Sequence, residues 1–477
     1  MTGYSTIDLF ITVFNFLILF FAIFVMLSYI VLAAVSAVHL KAYLKRNRFV
    51  NYNALLALDS APRVSLIAPA YNEGKTIEEN VRSLLSINYN NFDVIVVNDG
   101  SKDDSIPVLK KAFDLVEKPW KYINTIPTKE VKAIYTSANP AFSRLIVVDK
   151  NNGGKADALN TGINVSQNPY IVCIDVDCIM DKDVLLKLAK PYLEQSDKKI
   201  IATGGVVRIA NSCVIKSGKL VEVKAPENFL ARVQVIEYLR AFILGRMAWS
   251  KMDGLLIISG AFGMFDREIA IKSGGYDTRT VGEDMELIVR MRRFMIDQGV
   301  PYTVQYIPDP LCWTEAPESY KVLGKQRSRW MRGTIETLWT HKKMMFNPKY
   351  KTLGLISYPY WLFAEYYAPL IEVTGIIISV VLAVLGIISW KFFFLFLLLV
   401  YAFAVMFSMM ALYTEESTYK RYESIRDLRM LATVAFLEPL FFHPFTVYAA
   451  LKGNWEKLTG NKGWGEMTRT GFDKTKV

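Results

Sequence analysis

Histidine and cysteine are scarce. Of 477 residues, three are histidine and four are cysteine. His39, His341 and His443 lie far apart in the chain, which argues against a Ser-His-Asp triad or a histidine-built metal site. Cys173, Cys178, Cys213 and Cys312 form no CxxC pair, so neither a zinc ribbon nor a thioredoxin-like centre is encoded. There is no GxGxxG and no GxxxxGK followed by Ser or Thr. That argues against dinucleotide oxidoreductases and P-loop enzymes. No nucleic-acid-binding motif is present, and no nucleic-acid partner is expected. Chemistry is left to carboxylates, cations and a metal held by oxygen.

What the chain does have is positive charge and apolar residues. Lys and Arg number 56 against 45 Asp and Glu, a net charge of +11. Such a balance suits an anionic membrane face or an anionic substrate. Apolar residues make up 52%, above the roughly 45–50% of soluble chains. The excess sits at the two ends of the chain, and the middle reads as an ordinary soluble domain.

Residues 10–38 carry no charge. At about 1.5 Å per residue a helix over that stretch exceeds the hydrocarbon core of about 30 Å, so it can cross once, tilted. Its length, with no basic segment before it, speaks against a cleaved signal peptide. Lys41, Lys45, Arg46 and Arg48 follow. The positive-inside rule places them, and the soluble middle with them, in the cytoplasm.

Apolar segments return at 353–389, 392–413 and 430–451. The first is too long for one crossing; it is an interfacial helix plus one span, or two spans. The tail carries Lys452, Lys457, Lys462, Arg469, Lys474 and Lys476 and is expected inside. That requires an even number of crossings after the soluble domain. Glu365, Glu372 and Glu438 fall within apolar stretches, where an ionised acid at the bilayer centre costs roughly 2.5–3.5 kcal/mol. They sit at interface depth, or Glu365 and Glu372, on one helical face, line a polar conduit. The expected organisation is a transmembrane helix (1–40), a cytoplasmic domain (41–315), an amphipathic interfacial region (316–352), a transmembrane bundle (353–452) and a basic cytoplasmic tail (453–477). A multi-pass protein of the inner (plasma) membrane is the expectation.

The middle alternates β-branched runs with amphipathic stretches. Residues 63–69, 93–98, 144–149 and 170–175 read as strands buried on both faces; 75–87, 104–117 and 154–165 read as helices. The fold expected is a doubly wound α/β sheet, with its ligand site beyond the strand C-terminal ends. Glu73, Asp99, Asp175 and Asp177 lie at those ends. In Asp175-Val-Asp177 the carboxylates are two apart on a strand end and project to one side. Two hard oxygens suit Mg2+ or Mn2+. Lys155 follows two glycines and opens a helix, an arrangement that favours an anion. Glu283 and Asp284 open another helix, where the macrodipole favours acids. Residues 318–342 read as an amphipathic helix. Its apolar stripe is Leu323, Trp330, Ile335 and Leu338; its basic stripe is Lys321, Lys325, Arg327, Arg329 and Arg332.

Six motifs occur in order: Pro69-Ala-Tyr-Asn-Glu73, Val97-Asn-Asp-Gly-Ser101, Gly153-Gly-Lys-Ala-Asp-Ala-Leu-Asn160, Asp175-Val-Asp177, Gly282-Glu-Asp284 and Gln326-Arg-Ser-Arg-Trp330. The series resembles the membrane-bound processive enzymes of glycosyltransferase family 2, which include cellulose, chitin, hyaluronan and poly-N-acetylglucosamine synthases. The resemblance implies a GT-A-type domain flanked by transmembrane helices. It implies a UDP-sugar donor, UDP-N-acetylglucosamine as the best guess, and inverting transfer to a growing exopolysaccharide. A partner that takes the polymer onward would follow. A single-transfer enzyme making a membrane glycolipid would share the donor site.

The resemblance also assigns roles. Asp99 reads the uracil, and Tyr71 and Glu73 shape the nucleotide pocket. Lys155 contacts the diphosphate. Asp177, with Asp175, holds the metal, which neutralises the leaving nucleoside diphosphate. Asp284 is the general base, with Glu283 beside it. A helix N-terminus lowers a carboxyl pKa, so burial or a neighbouring carboxylate has to offset that effect. Arg329 and Gln326 hold the diphosphate. Trp330 carries the acceptor sugar, and Gly260 and Phe262 border it. Trp464-Gly-Glu-Met-Thr-Arg469 resembles a gating loop, with two extra residues before the arginine. Residues 116–143 exceed what relatives need between the second and third strands and are expected to form a surface loop.

Overall fold

The computed structural model describes residues 6–52, 54, 61–194, 197–216 and 218–460. The stretch Trp464–Arg469, and most of the expected tail, lies outside the described residues.

The strand runs condense as their composition dictates. They are β1 (Val64–Ala70), β2 (Phe92–Asp99), β3 (Leu115–Glu117), β4 (Val131–Ser137), β5 (Leu145–Lys150), β6 (Tyr170–Ile174), β7 (Ile179–Met180), β8 (Lys199–Ile209), β9 (Val214–Lys216), β10 (Lys219–Glu222), β11 (Phe262–Asp266) and β12 (Tyr302–Thr314). Ten form one sheet, in the order β3-β4-β5-β2-β1-β6-β11-β8-β12-β7; β9 and β10 pair separately. β5, β2, β1 and β6 are parallel neighbours, and their apolar residues are buried on both faces. β11 then runs antiparallel to β6 and β8. The sheet is therefore mixed, where the sequence pattern suggested a parallel one.

α1 (Thr6–Asn47) precedes the sheet; α2 (Ile77–Leu85), α3 (Ser105–Ala112), α4 (Lys155–Val165), α5 (Val184–Leu193), α6 (Phe229–Tyr238), α7 (Met247–Lys251), α8 (Arg267–Lys272) and α9 (Glu283–Asp297) lie between its strands in sequence; α10 (Tyr320–Thr340), α11 (Ala368–Val384), α12 (Trp390–Thr418) and α13 (Ile425–Leu458) follow it. A π-helical stretch, Leu239–Arg246, joins α6 to α7.

Two expectations are corrected at the sheet edge. The helix expected over 104–117 ends at Ala112, and Asp114 turns the chain with φ 49°. Leu115–Glu117 then pairs antiparallel with β4. The stretch 116–143 is no mere loop, because β4 extends the main sheet. The segment between β3 and β4 docks on α4: Trp120 donates to the Val165 carbonyl at 3.1 Å, and Ile126 is buried. Alternation in Val-Lys-Ala-Ile-Tyr-Thr-Ser was the available signal for β4.

Among the described residues, four helical stretches are long and apolar enough to cross a membrane: Leu9–Asn47, Leu353–Val384, Trp390–Thr418 and Ile425–Leu458. α1 continues past residue 40 and docks on the soluble domain, with the Ser36 hydroxyl donating to the Ile243 carbonyl and Tyr43 donating to Asp309 at 2.6 Å. α12 returns to the domain at Glu415, which pairs with buried Arg208 of β8. α13 behaves differently from α1, α11 and α12. Its first turn reaches Glu227 through Arg426, its middle reaches Arg240 through Glu438, and its last turn reaches Glu336 through Lys457. It lies along α6 and then along α10.

Candidate active site

The site forms where β1, β2 and β6 end and the antiparallel β11 begins. Two loops are tied together there. Asn72, at φ 56°, donates its N–H to the Ser101 hydroxyl at 2.9 Å and accepts from the Lys102 N–H at 2.9 Å. Tyr71 is exposed beside this junction. The Glu73 carbonyl starts α2, and its carboxylate accepts from Thr76 at 3.3 Å.

Asp99 ends β2 and is buried. One carboxylate oxygen accepts from Lys150 Nζ at 2.7 Å and the Gly153 N–H at 2.9 Å; the other accepts from the Gly154 N–H at 2.7 Å. A carboxylate offers about four acceptor positions, so about one is left for a ligand donor. Asp99 thus shapes the Gly153-Gly154 turn as well. Gly154 adopts φ +88°, which a residue with a side chain takes only with strain. Lys150, wholly buried, also meets Asp157 at 2.6 Å. Sequence reading missed this lysine; its only mark was a charge ending an apolar strand.

The turn sets Lys155 at the first position of α4. Its ammonium lies 2.8 Å from Asp175, 3.7 Å from Glu283 and 3.9 Å from Asp284, and donates to the Gly260 carbonyl at 3.0 Å. Burial works against its charge, but the three carboxylates outweigh that and raise its pKa. Residues from three distant motifs therefore meet around one cation. The surrounding narrow cleft is lined among others by Ser259, Gly260, Phe262 and Tyr276.

Asp284 is held well above the usual carboxylate range. Burial is the largest cause; Glu283 and Asp175 add to it, and Lys155 and Arg329 oppose it. The offset that a base at a helix N-terminus needs is therefore present. Gly260 sits so close that a Cβ would lie 2.7 Å from an Asp284 oxygen. Phe262 is buried and lines the cleft, and the tip of its ring lies 3.2 Å from where a Cβ on Gly205 would stand.

Asp175, Asp177 and Cys178 place ligand-type atoms within 4.8 Å of one another. Cys178 is a poor third ligand: its hydrogen bond with Cys312 and its burial raise the thiol pKa, and a thiol is soft. The two carboxylates fit a hard divalent cation. Charge agrees: Asp175, Asp177, Glu283 and Asp284 supply four negative charges when ionised, and Lys155 and Arg329 supply two positive ones.

Gln326, Arg329 and Trp330 lie on α10, and of these Arg329 is near enough to act electrostatically on Asp284. α10 crosses α9 at Gly282 and Gly333, where a Cβ on either would come within 2.6 Å of the other's backbone. Gly333 was not singled out from the sequence. The expected division of α10 into an apolar and a basic stripe does not hold. Arg327 and Arg332 are buried, Arg327 in a two-bond pair with Glu237 at 2.7 Å. Trp330 is exposed, with the Arg327 guanidinium over its ring at 4.2 Å. The acids of the apolar segments have partners: Glu365 accepts from Tyr360 at 3.2 Å, Glu372 meets His443 at 2.9 Å, and Glu438 holds Arg240 by two bonds at 3.0 and 3.1 Å.

A mixed α/β sheet with acids at its strand ends, carrying apolar helices at both ends of the chain, defines a GT-A-type domain with membrane-length flanks. The profile of Glycosyl transferase family 2 matches residues 65–271, and that of Glycosyl transferase family group 2 matches residues 170–407. The chain belongs to glycosyltransferase family 2. It is similar to a poly-beta-1,6-N-acetyl-D-glucosamine synthase of Staphylococcus epidermidis, at 30% identity over 336 residues. The match covers 68% of this chain and 66% of that relative, just under two thirds. The synthase of the same name from Staphylococcus aureus strain COL is 27% identical over 326 residues, covering 68% and 66%. Among solved structures, the mannosyltransferase PcManGT from Pyrobaculum calidifontis, in complex with GDP-Man and Mn2+, has a TM-score of 0.49 and 17% identity, covering 91% of this chain and 99% of that one.

Proposed function

We propose that the chain is an inverting, processive glycosyltransferase of the plasma membrane. It takes a sugar from a UDP-sugar in the cytoplasm, adds it to a growing polysaccharide and passes the chain through its own helices. UDP-N-acetylglucosamine and poly-beta-1,6-N-acetylglucosamine are the favoured donor and product, supported by the names of the relatives. One observation carries the enzymatic reading: Asp175, Glu283 and Asp284 converge on Lys155 at the open end of the sheet.

In this reading the nucleotide lies over β1 and β2, with Tyr71 and Glu73 at its edge and the remaining acceptor position of Asp99 taking a uracil N–H. Lys155, Arg329 and Gln326 hold the diphosphate. A Mg2+ or Mn2+ held by Asp175 and Asp177 would neutralise charge on the diphosphate. Asp284 takes the proton from the acceptor hydroxyl as that oxygen bonds to the anomeric carbon. The bond from that carbon to the diphosphate oxygen breaks, and UDP leaves with the electron pair. Trp330 offers a ring for the acceptor sugar, and the glycine backbone at Gly260 leaves it room. The reading predicts UDP release from UDP-N-acetylglucosamine far above that from UDP-glucose or UDP-glucuronate, lost on EDTA treatment and restored by Mn2+. Equal rates in EDTA would remove the metal from the account.

The bonding of α13 supports a topology. α1, α11 and α12 cross the bilayer, while α13 lies on the cytoplasmic interface. Its exposed Phe436, Leu440, Phe441, Tyr448, Trp455 and Leu458 fall on one helical face by their spacing. Two crossings after the catalytic domain keep both ends of α13 inside, beside the basic residues that follow α1. Cysteines placed at Ser424 and Thr459 should both resist an impermeant thiol reagent in intact cells and react after lysis. Labelling of one from outside would make α13 a span.

A further inference from the structure

The end of α13 grips α10 at three places. At Gly453 the helices come so close that a Cβ would lie 2.7 Å from the Ser328 carbonyl oxygen. Glu456 accepts from the Ser328 hydroxyl at 2.5 Å and lies 3.8 Å from the Arg332 guanidinium. Lys457 donates to one oxygen of Glu336 at 2.8 Å. The other oxygen of Glu336 accepts from the Thr280 hydroxyl at 2.7 Å and the Val281 N–H at 3.0 Å. Val281 precedes Gly282, which caps α9 directly before Glu283 and Asp284. A continuous set of bonds therefore runs from the membrane-side helix to the loop that aims Asp284.

We propose that Glu336 and Lys457 are positioning residues for transfer, through which α13 holds the 280–282 loop and thereby the catalytic carboxylate. Neither touches the Asp175–Lys155–Asp284 cluster. Glu336 fixes the backbone entering α9, and Lys457 fixes Glu336. The inference rests on the reading of Asp284 as the base. Misplacing a reacting group by about 1 Å can cost on the order of a hundredfold in rate. A loop that loses one tether of several should cost less, about tenfold.

The test uses the full chain in nanodiscs and the rate of UDP release with whichever UDP-sugar the wild type consumes. A wrong donor then sinks the reading above without touching this one. Lys457→Met is expected to lower kcat about tenfold, with the donor KM and UDP affinity by calorimetry unchanged, and Lys457→Arg to restore it. Glu336→Gln should lower kcat at least as much. The double variant should equal Glu336→Gln alone, because the lysine acts through the carboxylate. An unchanged kcat in Lys457→Met, or single effects that multiply in the double variant, would overturn the proposal. So would a fall in UDP affinity matching the fall in rate.

Discussion

Asp284→Asn is expected to reduce transfer by about 10²- to 10⁴-fold, the usual range for a lost general base, while UDP affinity stays near that of the wild type. The amide keeps the shape and cannot take the acceptor proton. A pH profile separates this from a packing defect. The Asp284 carboxyl titrates above the ordinary carboxylate range because of burial and of Glu283 and Asp175, against Lys155 and Arg329. A base must be deprotonated to act. The wild-type kcat should therefore fall on acidification, at a pH above that range, as the carboxyl gains its proton. The residual rate of the Asn variant should be flat there. A wild-type profile with no such limb, or an Asn variant that retains it, would remove Asp284 from the role.

Lys150→Met is expected to have the largest effect on stability. The ammonium is wholly buried between Asp99 at 2.7 Å and Asp157 at 2.6 Å, and donates also to the Asn151 carbonyl at 2.6 Å. Removing one partner from a buried pair leaves uncompensated charge and costs about 3–5 kcal/mol. Here two carboxylates are left. For a domain of this size such a loss lowers the melting temperature by about 10 °C. Lys118→Met, at an exposed position, should leave it unchanged. Asp99 also organises Gly153 and Gly154, so the surviving folded fraction should bind UDP more weakly. A Lys150→Met protein that melts with the wild type would show that the cluster is not held by this charge.

Much of the site could be read from the sequence because its residues lie in short motifs at strand ends and helix starts. A strand exit fixes where Asp99 and Asp175 project, and two glycines before a helix fix Lys155. What could not be read depends on pairings far apart in the chain. Lys150 meets a carboxylate 51 residues away, Arg240 one 198 residues away, and Arg208 one 207 residues away. No local pattern marks such partners. Gly333 looked like any glycine within a helix until α9 was placed against it. The stripes on α10 misled for a related reason. Periodicity assigns basic residues to the outer face, but Arg327 and Arg332 face the carboxylates of Glu237 and Glu456. The edge strands β3 and β4 were passed over because a long stretch with Pro and Asn reads as loop. For the apolar segments, composition marked four stretches and left 353–389 as an interfacial helix plus one span or as two spans, while the charged contacts at both ends of α13 lie between residues far apart in the chain.

Product size tests the central claim most directly. The protein is reconstituted in nanodiscs with Mn2+ and radiolabelled UDP-N-acetylglucosamine, and the product is run on a gel beside that of Asp284→Asn. The account predicts a high-molecular-weight, water-soluble product from the wild type and none from the variant. A short product despite excess donor, or one that partitions into organic solvent, would contradict it and make the chain a single-transfer enzyme.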